Sequence, residues 1–144
     1  MKVFLVLFIA IIFTLPATAR RSSSDSSSDK ALEQTQRLLT NKQKRDAYIR
    51  SHKGTQHVDD NVTSLTNGNA EHKEELYSIA ADVLSVVTEK AKKPNGEVDV
   101  EKMKRLMLQY QQDPEAFYKQ MTPEQRKRIK ALGKKIGPAP ASQN

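Results

Sequence analysis

The chain has 144 residues, a formal net charge of +7, a mean hydropathy of −0.68 and no cysteine. The missing cysteine excludes disulfides, thiolate metal sites, cysteine nucleophiles and a cysteine-linked lipid. Past the first nineteen residues only about 30% of positions are apolar, which is low for a globular protein and leaves room for one small domain with flexible segments beside it.

Lys2 precedes an almost unbroken apolar run over residues 3–15, and Ala17-Thr18-Ala19 supplies small residues in an A-x-A cleavage pattern. That is the anatomy of a secretory signal peptide, and the run is shorter than the roughly 20 residues a membrane span needs. Residues 1–19 are therefore expected to be removed after Ala19, giving a secreted or periplasmic protein with no transmembrane segment in its mature form. RRSSSDSSSD, residues 20–29, reads as a disordered leader, because serine and charge alone cannot repay the entropy of ordering.

Residues 30–53 contain no Gly or Pro and read as one helix with a thin apolar stripe through Leu32, Leu38, Leu39 and Ile49. Residues 54–70, rich in Gly, Thr, Asn and Asp, read as a flexible linker. Apolar residues then concentrate. Leu76, Ala80, Val83, Leu84, Val87 and Ala91 recur at helical spacing, with Ile79 and Val86 widening the face. This predicts the most buried helix, closed by Lys92 and Lys93 in its last turn and stopped by Pro94-Asn95-Gly96.

Asp99 is placed to cap a helix burying Met103, Leu106, Met107 and Tyr110. Asp113-Pro114 starts a short helix carrying Phe117, since proline suits the first helical position. Thr122-Pro123-Glu124-Gln125 has the form of a capping box opening a helix with Ile129, Leu132 and Ile136 as its stripe, and Gly137-Pro138 ends it. Residues 71–137 thus form the expected core domain, and 138–144 a disordered tail. No strand-like alternation occurs. The predicted fold is all-α, a small bundle of about four to five helices.

Catalytic and metal chemistry find little to work with. His52, His57 and His72 fall in or beside the expected linker, with no pair spaced for a helix face. The serines crowd into the leader, where no base can be fixed beside them. Glu74-Glu75 lies next to Lys73 on a charged face, which suits solvent better than acid–base work. No phosphate-binding glycine loop is present. A non-enzymatic protein without cofactor or metal is expected. Asn61-Val62-Thr63 matches the N-glycosylation sequon, relevant only in a eukaryotic source.

Positive charge concentrates in the last helix: Arg126, Lys127, Arg128, Lys130, Lys134 and Lys135, against Glu124 alone. This set could hold an anionic membrane surface, polysaccharide or nucleic acid, although the helix itself has no aromatic residue on which a base could stack. The cations in its last turn also complement the helix dipole, and a solvated face that aids solubility is the simpler reading of the run.

A second pattern runs through Leu39-Thr40-Asn41-Lys42-Gln43 and Met121-Thr122-Pro123-Glu124-Gln125. Each copy has an apolar residue, Thr, two variable positions and Gln, followed by two basic residues. The pair resembles the LTxxQ motifs of the Spy/CpxP-like periplasmic family, over about a dozen residues twice, with Met121 standing where the motif has Leu. The resemblance implies an all-α homodimer that chaperones unfolding envelope proteins without ATP or senses envelope stress. It also implies turn and cap roles for Leu39, Thr40, Gln43, Met121, Thr122 and Gln125. A client surface would then lie where Leu39, Leu76, Val83, Leu106, Phe117 and Ile129 approach the exterior. Two functions stand side by side: a chaperone-like binder of unfolded or partner protein, and a basic protein acting on anionic surfaces.

Overall fold

The computed structural model describes residues 25–137, which contain seven α-helices and one 3-10 turn. In chain order these are α1 (Asp25–Thr40), α2 (Lys42–Ser51), the turn Lys53–Thr55, α3 (Gln56–Leu65), α4 (Ala70–Ala91), α5 (Val100–Gln112), α6 (Pro114–Gln120) and α7 (Pro123–Ile136). The all-α expectation holds, with more helices than the four to five anticipated. The expected signal peptide, the first five residues of the expected leader and the expected tail 138–144 lie outside the described residues. Among those described, no helix is long and apolar enough to cross a membrane.

Helix α4 is the hub. Leu76, Tyr77, Ile79, Ala80, Ala81, Val83, Leu84, Val87 and Ala91 are all buried along it, so apolar residues point to several sides rather than one. Helices α1, α3, α5 and α7 pack against it. Each brings a narrow stripe: Leu39 from α1, Val58, Val62 and Leu65 from α3, Met107 and Tyr110 from α5, and Ile129, Leu132 and Ile136 from α7. Phe117 of α6 is fully enclosed and its ring meets that of Tyr110 with centroids 4.3 Å apart. A tilted aromatic pair of this kind adds to the burial of two large rings.

Local chemistry sets the boundaries. The side chains of Asn69, Asp99, Asp113 and Thr122 each accept a hydrogen bond from the backbone N–H three residues on, which satisfies an otherwise orphaned donor at a helix start. Between α3 and α4 the chain reverses through Asn67 and Gly68, both with positive φ. Asn is among the few side chains that tolerate this region. Asn67 Nδ2 also donates to the Ile136 carbonyl at the end of α7.

Four expectations are corrected. Residues 25–29, read as leader, form the first turns of α1. The single helix over 30–53 breaks at Asn41, whose side chain caps a new helix by accepting from Lys44 N at 3.0 Å. The linker over 54–70 holds the turn and α3, because Val58, Val62 and Leu65 recur at helical spacing and are buried. Lys92 and Lys93 lie beyond the end of α4, where Lys92 forms a bridge with Val98.

One buried polar cluster joins α2, α3 and α4. Arg45 is only 4% exposed. It donates to Glu74 and to the Leu39 carbonyl, and its guanidinium lies 3.9 Å from the Tyr77 ring centroid. The Tyr77 hydroxyl donates to Asp59 Oδ1 at 2.8 Å, and Lys73 Nζ donates to Asp59 Oδ2 at 2.7 Å and to Thr63 Oγ1 at 3.0 Å. Arg45 is thus paired on one side and stacked on the other, which offsets the cost of taking a charge out of water.

Burial, then the hydrogen bond to Asp59, raise the Tyr77 phenol well above its ordinary range. The folded state therefore keeps its proton at pH values where the unfolded phenol ionises. Stability should fall as pH climbs past about 10, since the unfolded chain then binds fewer protons than the folded one. Urea midpoints measured between about pH 8 and 11 should drop more steeply for the wild type than for Tyr77→Phe. Parallel slopes would show that Tyr77 is not held in this environment.

Candidate functional site

A small apolar cavity lies among Leu39, Arg45, Tyr48, Val58 and Tyr77, and at about 20 Å³ it has room for one water rather than a substrate. His52 stacks on Tyr48 with ring centroids 3.9 Å apart, and no group of three or more His, Asp or Glu side chains gathers among the described residues.

The six cations of the last helix separate into two groups. Successive residues of an α-helix turn by about 100°. With Ile129, Leu132 and Ile136 facing the core, Arg128 and Lys135 fall on one flank, while Arg126, Lys127, Lys130 and Lys134 fall on the other flank and the outer face. The first pair is committed to α4. Arg128 Nη1 donates to Asp82 Oδ2 at 2.5 Å, its Nη2 donates to Ser78 Oγ at 2.8 Å, and Lys135 Nζ donates to Glu75 Oε2 at 3.3 Å. These two are tied to α4 and lie on the opposite flank from the other four.

The other four line one open groove together with Pro123, Ala131 and Tyr118. Among the described residues none of Arg126, Lys127, Lys130 and Lys134 has a carboxylate partner. Four uncompensated cations on one helix face give a local positive potential that attracts anions from a distance. Tyr118 comes from α6, not α7. The chain turns at Met121, which is buried and extended, and the Tyr118 side chain reaches back to the first turn of α7. The Tyr118 hydroxyl donates to the Arg126 carbonyl at 3.3 Å, and the half-buried ring also packs against the core. An aromatic ring therefore stands at the basic groove after all. Sequence spacing along α7 could not reveal it, because the ring arrives across a turn from another helix.

The two motif copies differ in structure. Thr122 and Gln125 close a true capping box: Thr122 Oγ1 accepts from Gln125 N at 3.2 Å, and Gln125 Oε1 accepts from Thr122 N at 3.0 Å. Thr40 caps nothing. It is the last residue of α1 and its hydroxyl donates to the Gln36 carbonyl at 2.9 Å, while Asn41 does the capping and Gln43 is exposed. Only the apolar members correspond, since Leu39 and Met121 are both buried.

The expected client surface is interior. Leu39, Leu76, Val83, Phe117 and Ile129 are buried and Leu106 is partly so. Among the described residues Leu108, 50% exposed, is the large apolar side chain that faces solvent. One such residue is ordinary for a protein surface and makes no patch.

Comparison of the chain with family models, with curated proteins and with solved structures finds no match in any of the three.

The capping box orients the first turn of α7 and with it the groove. Thr122→Ala removes the acceptor for Gln125 N, and should lower unfolding stability by about 0.5–2 kcal/mol. Thermal or urea unfolding of the variant measures this, and an unchanged midpoint would mean that α7 starts without help from Thr122.

Proposed function

We propose that the protein is an exported, non-enzymatic helical binding protein that holds an anionic polymer or surface along the groove of α7. The observation that carries this reading is the division of charge on one helix. Arg128 and Lys135 are paired with Asp82 and Glu75, whereas Arg126, Lys127, Lys130 and Lys134 share a groove with no carboxylate partner among the described residues. A basic face that served only to anchor the helix would have its charges paired. A face that served only solubility would gain from mixed signs spread over the surface.

The groove also limits how an anion can bind. The apolar stripe of α7 is occupied in the core, so the helix cannot lay that stripe into a lipid bilayer as interfacial helices do. Attraction must come from charge and from the groove's own walls. The chaperone-like reading, and the homodimer that accompanied it, draw less support: the apolar residues it needs on the outside are inside, and one motif copy lacks the cap geometry of the other.

Binding of this kind releases condensed counterions, so its affinity falls as salt rises. Titration of the protein with long-chain polyphosphate at several salt concentrations should give a straight line of log affinity against log salt. About four contacts predict a slope near −3. Lys130→Gln should make the slope shallower by about one contact, with helix content unchanged. Affinity indifferent to salt, or a slope untouched by Lys130→Gln, would contradict the reading.

A further inference from the structure

The single basic stripe and the ring in the groove's wall narrow the ligand class. We propose that the α7 groove takes a single strand of nucleic acid, with a base stacked on Tyr118 and phosphates running along Arg126, Lys127, Lys130 and Lys134. This inference rests on the polyanion reading above and goes one step past it.

The basic face is a single stripe. Its far flank carries Arg128 and Lys135, both turned to carboxylates of α4. A duplex carries two rows of phosphates, and the stripe of cations without carboxylate partners serves one of them. A bilayer presents a plane of headgroups, whereas the cations here line a groove, with Pro123 and Ala131 as its apolar contribution. One strand fits the stripe. Arg126, Lys130 and Lys134 stand four residues apart, about 6 Å per step along the helix axis, comparable to the spacing of phosphates along an extended strand.

Tyr118 separates nucleic acid from other single-chain polyanions. Its hydroxyl is tied to the Arg126 carbonyl and its ring rests against the core. The ring is therefore held in place beside the cations before any ligand arrives, and ordering it on binding costs little. A sulfated polysaccharide meets the four cations equally well but has no planar base to place on the ring. Aromatic platforms flanked by cations are how proteins hold single strands without reading their sequence.

The test uses the full chain and four probes at low salt: a labelled oligothymidine of about 12 nucleotides, a duplex of the same length, a sulfated polysaccharide and vesicles containing an acidic phospholipid. Anisotropy should show the single strand bound most tightly, and in competition the polysaccharide should displace it only at large excess of charge. Tyr118→Leu, which keeps apolar packing, should weaken the strand about tenfold or more and leave polysaccharide binding unchanged, while Tyr118→Phe, which keeps the ring and its packing, should retain most of the affinity. Circular dichroism checks that both variants fold, and the wild-type competition stands if Tyr118→Leu does not. If the polysaccharide, the duplex or the vesicles bind as tightly as the strand, or if folded Tyr118→Leu holds the strand undiminished, the single-strand inference is overturned and the polyanion reading survives. If no probe binds at low salt, both fall.

Discussion

Burial of α4 is the constraint from which the rest of this structure follows. Its apolar residues face several directions, and a helix that is apolar on most sides is stable only when covered on most sides. The remaining helices are mostly polar and bury at most three apolar residues each among the described residues. In isolation such helices are marginal in water. Each must therefore commit its whole apolar stripe to α4 or its neighbours. What is left to face solvent is polar and charged, and that is why the exterior shows a basic groove and no apolar patch among the described residues.

Where apolar residues run short, polar groups take over the docking. Helix α2 contributes Arg45 as its buried residue, and that side chain reaches Glu74, the Tyr77 ring and the Leu39 carbonyl together. Asp59 of α3 meets Tyr77 and Lys73 of α4 in the same region. Directional bonds of this kind fix orientation more than they add stability, since burying the charge offsets much of the gain. Arg128 does the same for α7 through Asp82 and Ser78. On α7 itself the described cations divide: Arg128 and Lys135 meet carboxylates of α4, and Arg126, Lys127, Lys130 and Lys134 do not.

Much of this was legible in the sequence, because the signals were local. Asp99, Asp113-Pro114, Thr122 with Gln125, and Gly137 mark helix ends through chemistry confined to a few residues, and each end lies where that chemistry puts it. The hub helix followed from dense apolar spacing. The misread stretches share a different cause. Residues 56–65 carry turn-prone Asp, Asn, Thr and Ser, yet Val58, Val62 and Leu65 give a helix once α4 is there to receive them, so tertiary burial outweighed weak local propensity. Asn41 sits among good helix formers and ends one helix while capping the next, a choice that composition does not reveal. The site was half visible. Helical angle alone separates Arg128 and Lys135 from the other four cations, but only the fold supplies Asp82, Glu75 and Tyr118.

On the proposed reading, α7 packs through one side and binds through the other. Two charge-neutralised variants, compared for both unfolding midpoint and polyanion affinity, test it most directly. Arg128→Gln with Lys135→Gln should lower the midpoint and keep most of the affinity. Arg126→Gln, Lys127→Gln, Lys130→Gln and Lys134→Gln together should keep the midpoint and abolish the affinity. Equal losses of affinity per charge removed in the two variants would contradict the account, because the basic face would then be a diffuse charge and not a site.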